Sequence, residues 1–131
     1  MIKTYDAKDV VVTFGSVYIT GFSEDMVTCS KDEELFSTSV GAQGDVVVNT
    51  INNPLGTISL TLQATSPQIE YLRGCAKNGT YAPCYVTNKS LGERIGGSKA
   101  RIKNYPENDY GAEVGDRTFD IQVFDYEEEN I

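Results

Sequence analysis

Three groups of side chains in this sequence have types and spacings that could do chemistry. The first is the glycine-rich run Gly92-Glu93-Arg94-Ile95-Gly96-Gly97-Ser98-Lys99, which invites comparison with a phosphate-cradling loop. Such a loop needs its lysine before the hydroxyl residue and a helix directly after. Here Ser98 precedes Lys99, and Ala100-Arg101-Ile102 reads on as strand, so the comparison fails. The second group is Glu107, Asp109, Glu113 and Asp116, four carboxylates that lack the ligand spacing of a calcium loop. A solvated acidic turn is the expected reading, with no metal. The third is Lys99, Arg101 and Lys103, alternate residues on one face of a predicted strand. With Lys89 and Arg94, 5 of the 11 basic residues fall between positions 89 and 103. That charged face either stands in solvent, loosely paired with the acidic loop that follows, or meets an acidic surface on a neighbouring copy. Both readings stay open. Nucleic-acid binding ranks behind them, because only Tyr105 beside this face could stack on a base.

Catalytic equipment is scarce. The chain has no histidine, which removes Ser-His and Cys-His nucleophile pairs and histidine metal sites. Nothing local lowers the pKa of Cys29, Cys75 or Cys84, and their number and spacing fit neither a disulfide scaffold nor a zinc site. They are expected to be reduced, mostly buried thiols, which makes the Asn78-Gly79-Thr80 and Asn88-Lys89-Ser90 sequons incidental. No enzyme and no cofactor are expected.

At 131 residues the chain is expected to form one domain, 1–131, with a core that needs no disulfide or metal. Its net charge of −8 argues against a surface that attracts phosphates or anionic lipid everywhere. The N-terminus is polar by residue three and no apolar run is long enough to span a membrane. The expectation is a chain made and folded in a cytosol.

The elements that position these groups are anchored by Gly56–Leu72. Ile58, Leu60, Leu62 and Ala64 alternate with Thr57, Ser59, Thr61 and Gln63, the period of a sheet with one buried face. Ser66 sits where an N-cap belongs and Pro67 where a first helical residue loses nothing by lacking an N–H. A helix is predicted from Pro67 to Lys77, stopped by Asn78-Gly79. Further strands are predicted at Val10–Phe14, Val17–Ile19, Met26–Lys31 (after a break at Glu24-Asp25), Phe36–Val40, Asp45–Thr50, Tyr81–Thr87, Ser98–Asn104 and around Phe119–Val123. Gly92–Gly97 reads as a flexible turn, Tyr105–Gly115 as an acidic loop and Asp125–Glu129 as an acidic tail. The sum is a mainly β fold of two packed antiparallel sheets, sandwich or barrel, with one flanking α-helix.

Four pieces in order resemble the tail tube protein of contractile-tailed bacteriophages over Val10 to Tyr126. They are Ser39–Val47 (Ser-Val-Gly-Ala-Gln-Gly-Asp-Val-Val), Gly56–Pro67, the charged strand Ala100–Lys103 with its acidic loop, and Gly115–Ile121. Where members of that family commonly carry basic residues after the hairpin, this chain has the neutral run Val46-Val47-Val48-Asn49-Thr50.

The resemblance implies copies closed into rings of six, stacked as a hollow tube inside a contractile sheath, with baseplate and tail terminator proteins at its ends. DNA would pass through transiently. The place would be a virion tail assembled in a bacterial host cytoplasm; contractile bacteriocins and type VI secretion tubes share the architecture. The resemblance puts inter-ring contact on the hairpin, at Phe36, Val40, Gln43, Asp45 and Val47. Thr57, Ser59, Thr61 and Gln63 are the lumen-facing candidates, since a Ser/Thr/Gln strand face suits an aqueous channel as well as open solvent. A net negative subunit would keep such a passage non-adhesive to DNA. Lys99, Arg101 and Lys103 are the candidate inter-subunit charged face. The alternative of a different class is a monomeric β-sandwich binding module, with Tyr81, Tyr85, Tyr105 and Tyr110 as its available aromatic platform.

Overall fold

Alternation of apolar and polar residues builds most of the strands. The computed structural model describes residues 2–131. In chain order its strands are β1 (Val10–Phe14), β2 (Val17–Ile19), β3 (Phe22–Lys31), β4 (Phe36–Val40), β5 (Val46–Thr50) and β6 (Gly56–Leu62). After helix α1 (Ile69–Asn78) come β7 (Ala82–Asn88), β8 (Glu93–Ile102), β9 (Arg117–Val123) and β10 (Glu127–Asn130). Eight strands form one antiparallel sheet in the order β2-β1-β7-β8-β9-β6-β3, with β10 also paired to β8. The second sheet is the two-stranded ribbon β4-β5. The expected mainly β architecture with one helix is what the chain adopts. No helix among the described residues is long and apolar enough to cross a membrane.

The large sheet curls around a single core. Val12 and Phe14 of β1 and Cys84 and Val86 of β7 share that core with Ile58, Leu60 and Leu62 of β6. Ile19 of β2, Ala100 and Ile102 of β8, Phe119, Ile121 and Val123 of β9 and Tyr126 complete it, and α1 covers it with Ile69, Leu72 and Cys75. Each fully buried Val, Leu, Ile or Phe side chain among these contributes about 1.5–3 kcal/mol. Strand β6 is buried at every second residue, as its alternation requires.

Several local readings change. Ser66 does not cap the helix: its hydroxyl donates to the Thr20 carbonyl at 2.6 Å. The Gln68 side-chain oxygen accepts from the Thr20 N–H at 3.0 Å and its hydroxyl at 2.7 Å. A tertiary tie to the β2-β3 turn thus outcompetes the local cap, and α1 begins at Ile69 after an N-cap residue with no side-chain cap bond. The helix ends as expected on left-handed Gly79, φ 64°, whose N–H bonds back to Ala76. Glu24-Asp25 is no break but lies in a bulge of β3, between Phe22 and Val27, with Met26 at φ 48°.

Gly92–Gly97 is not a turn; β8 starts at Glu93. Gly96, φ 142°, lies where a Cβ would collide with the Cys84 carbonyl of β7, so the glycine serves a close backbone approach inside a strand. The acidic tail is not free either. Glu127 to Asn130 pair with β8, Arg94 meets Glu129 at 3.2 Å, and Tyr126 before them is buried against Gly56.

Candidate assembly surfaces

The ribbon β4-β5 stands apart from the core: every residue of both strands is exposed. Its register pairs Phe36 with Thr50, Thr38 with Val48 and Val40 with Val46, while Ser37 faces Asn49 and Ser39 faces Val47. Opposed residues of an antiparallel ladder share a face. One face is therefore Phe36, Thr38, Val40, Val46, Val48 and Thr50, and the other is Ser37, Ser39, Val47 and Asn49. Of the hairpin residues singled out from the sequence, Phe36 and Val40 lie on the apolar face and Val47 lies on the polar one. Gln43 and Asp45 sit in the connecting loop, which Gly41 closes by donating to the Asp45 carbonyl at 2.8 Å. A two-stranded ribbon with one apolar face and no packing partner has little stability of its own. The observed amphipathic face suits burial against another surface.

The second surface is the outer face of the large sheet. Thr57, Ser59 and Thr61 oppose Gln122, Asp120 and Thr118 of β9, and Thr57 and Ser59 oppose Ser30 and Thr28 of β3. Arg101 opposes Gln122 on the next strand, so Lys99, Arg101 and Lys103 stand on this same face, opposite the buried Ala100 and Ile102. From the sequence alone the candidate lumen face and the charged strip are separate surfaces. The register puts them on one sheet, a relation that no local pattern encodes. Gln63 lies just past β6, exposed, with its N–H bonded to the Gly21 carbonyl at 2.8 Å.

Hydrogen bonds hold this face in place. Asp32 accepts from the Thr57 hydroxyl at 2.7 Å and from Gln122 Nε2 at 3.0 Å. The Ser59 hydroxyl donates to Asp120 at 2.6 Å. The Thr57 bond first, then the Gln122 bond, hold the Asp32 carboxyl below the usual carboxylate range. Along the strands of this face the charges are three cations against Asp32 and Asp120, while Glu107, Asp109 and Asp116 border it beside Thr118. The acidic loop does not pair with the strip: among the described residues the one ion pair joins Arg94 to Glu129. Instead Lys99 and Arg101 both stand over the Tyr81 ring, at 5.2 and 5.5 Å from its centroid.

The remaining candidates carry less. Glu107, Asp109 and Asp116 line a cleft of about 240 Å³ with Gly115 and Thr118, and Glu113 does not join them. Tyr85 and Tyr110 have ring faces covered by Arg94 and Arg117, at 5.0 and 5.2 Å, and Tyr81 is covered as described. The four tyrosines lie on β7, its approach and the long loop. A cleft of about 400 Å³ opens beside β3 over Val27, Cys29, Val86 and Ile95. Burial, then the charge of Glu128, pushes the Cys29 thiol up to about 12, and burial does the same to Cys84. Such a shift keeps both thiols protonated near neutral pH.

No protein-family model matches this sequence, and no curated protein matches it. Solved structures do match its fold. A chain of the PVC sheath/tube terminator of an extracellular contractile injection system, in the extended state, aligns with a TM-score of 0.67 at 9% identity. That alignment covers 96% of each chain. A chain of the PVC sheath-tube complex in the extended state gives 0.67 at 10% identity, over 98% of this chain and 93% of that one. The anti-feeding prophage cap, a tube terminating cap, gives 0.63 at 12% identity, over 100% and 94%. At these identities the likeness is one of fold.

Proposed function

We propose that this chain is the tube subunit of a contractile injection device, in the first place a contractile phage tail. Copies close into rings, six in this reading, and the rings stack into a hollow conduit inside a sheath. The observation that carries the proposal is the ribbon β4-β5, an amphipathic hairpin with no core contact that needs a neighbour to cover Phe36, Val40, Val46 and Val48. The polar face of β3, β6, β9 and β8, with Thr57, Ser59 and Thr61 at its centre, suits an aqueous wall. The fold likeness to chains of sheath-tube and terminator assemblies supports the same reading.

The function is mechanical support and conduction, with DNA as the transient cargo in a phage. The partners are further copies, a sheath protein, and baseplate and terminator proteins. Assembly takes place in the host cytoplasm and the product is the virion tail. Bacteriocin and secretion tubes are the alternatives of the same architecture.

Two of the compared assemblies are terminators, which favours one second reading: a ring that caps a tube and stops its growth. Negative-stain microscopy of the concentrated chain separates the two. Rods of stacked rings mean a tube subunit, single rings that never stack mean a terminator, and lone small particles at every salt and concentration refute both.

A further inference from the structure

The polar sheet face is electrically lopsided. Along its β8 margin Lys99, Arg101 and Lys103 occupy successive outward positions, about 6.6 Å apart along the strand. None has a carboxylate at ion-pair distance among the described residues. Strand β7 begins at Ala82, opposite Ala100, so Arg101 and Ile102 pair only with β9 and the strip stands at a corner of the face, with β7, β1 and β2 continuing the sheet beside Lys99. Three strands across, β3 ends the sheet with one flank unpaired among the described residues. Residues 22–34 there hold Glu24, Asp25, Asp32, Glu33 and Glu34 against Lys31, and Lys8 lines the cleft beside Glu24. Asp32 is turned onto the face, bonded to Thr57 and Gln122, while Glu24, Asp25, Glu33 and Glu34 are exposed and form no ion pair among the described residues.

The opposite charges at the two margins decide how copies can meet. A two-fold contact through either margin sets like charge against like, which is repulsive. A head-to-tail contact sets the cationic margin against the acidic one and covers the open flank of β3. We propose that copies of this chain join head to tail, with Lys99, Arg101 and Lys103 of one copy against Glu24, Asp25, Glu33 and Glu34 of the next. Complementary margins thereby select ring closure over a two-fold dimer. The inference rests on the tube reading and adds which side of one subunit meets which side of its neighbour.

The test uses two charge-reversed full-length chains. One carries K99E/R101E/K103E and the other E24K/D25K/E33K/E34K. Circular dichroism and melting curves matching wild type establish that both fold. Each alone should need a concentration about 10- to 100-fold higher than wild type to assemble at 0.15 M salt, as expected for three or four exposed pairs set in repulsion. Mixed 1:1, each reversed margin meets its complement, and assembly should return to the wild-type range. Carbodiimide coupling of mixed ¹⁴N and ¹⁵N wild-type chains should link Lys99 or Lys103 of one copy to residues 24–34 of another. Assembly of the K99E/R101E/K103E chain at wild-type concentration would overturn the pairing and leave the tube reading intact. So would links from the strip to residues 105–116 or 127–129. If that variant also stops binding polythymidylate, the strip belongs to a polyanion instead. A wild-type chain that stays monomeric throughout overturns both this contact and the tube reading.

Discussion

Replacing Phe36 and Val40 together by Asp should leave a folded monomer that cannot build tubes. The two side chains are 53% and 68% exposed and share the apolar face of the ribbon. A Phe or Val side chain taken fully from water contributes about 1.5–3 kcal/mol, so scaled by those fractions the pair withholds about 2–3.5 kcal/mol for docking. Forcing two carboxylates into the same contact adds a desolvation cost of about 1–3 kcal/mol each, or more while they stay charged. Together these give at least about 4 kcal/mol per contact, roughly a thousandfold in association constant. The core touches neither residue, so the melting temperature should stay near wild type, within the range of about 0.5 kcal/mol usual for surface changes. Sedimentation velocity beside negative-stain images reads assembly, and thermal denaturation reads folding. Ser37 and Ser39 on the opposite face are the control, where Asp should cost far less. Tubes of normal length from F36D/V40D at wild-type concentration would refute the reasoning.

Further outcomes follow from other parts of the molecule. Gly56→Ala places a Cβ inside the Tyr126 ring and should destabilise the fold by at least about 1–3 kcal/mol in urea denaturation, with loss of the β10 docking; an unchanged midpoint would contradict that packing. Asp32 and Asp125 are held below the usual carboxylate range, by the Thr57 hydroxyl and the Ser98 hydroxyl respectively as the largest causes. A depressed pKa in the folded state stabilises above the unfolded value and is lost as pH falls through the folded one. Stability should therefore decline as pH drops below about 4, and D32N/D125N should flatten that decline. Cys84 is fully buried and its thiol is pushed up to about 12, so it should not react with a thiol reagent at pH 8 until denaturant is added; rapid labelling of Cys84 in the native protein would place it outside the core.

What was legible in the sequence was whatever is encoded locally. The alternation of Thr57–Gln63 specified β6 and its buried side, and Phe36–Val40 came out at its observed bounds because glycines frame the ribbon tip. Asn78-Gly79 marked the helix stop for the same reason. The failures come from distant partners. Ser66 looks like a cap until Thr20 takes its hydroxyl. Gly96 looks like a turn until the β7 backbone is seen to need the space. Glu127–Asn130 has no strand alternation and becomes strand only because β8 offers a ladder and Arg94 a counter-charge. The joining of Thr57, Ser59 and Thr61 with Lys99, Arg101 and Lys103 on one face follows from β6-β9-β8 register. The apolar side of the ribbon was half legible: Phe36 and Val40 stood out, but pairing them with Val46 and Val48 requires the hairpin register.

The most direct test of the account is negative-stain electron microscopy of the purified, concentrated chain across salt. Hollow rings stacked into rods, lost in F36D/V40D, are what the account requires. Uniform small particles under every condition, with a monomer mass by sedimentation, would contradict it.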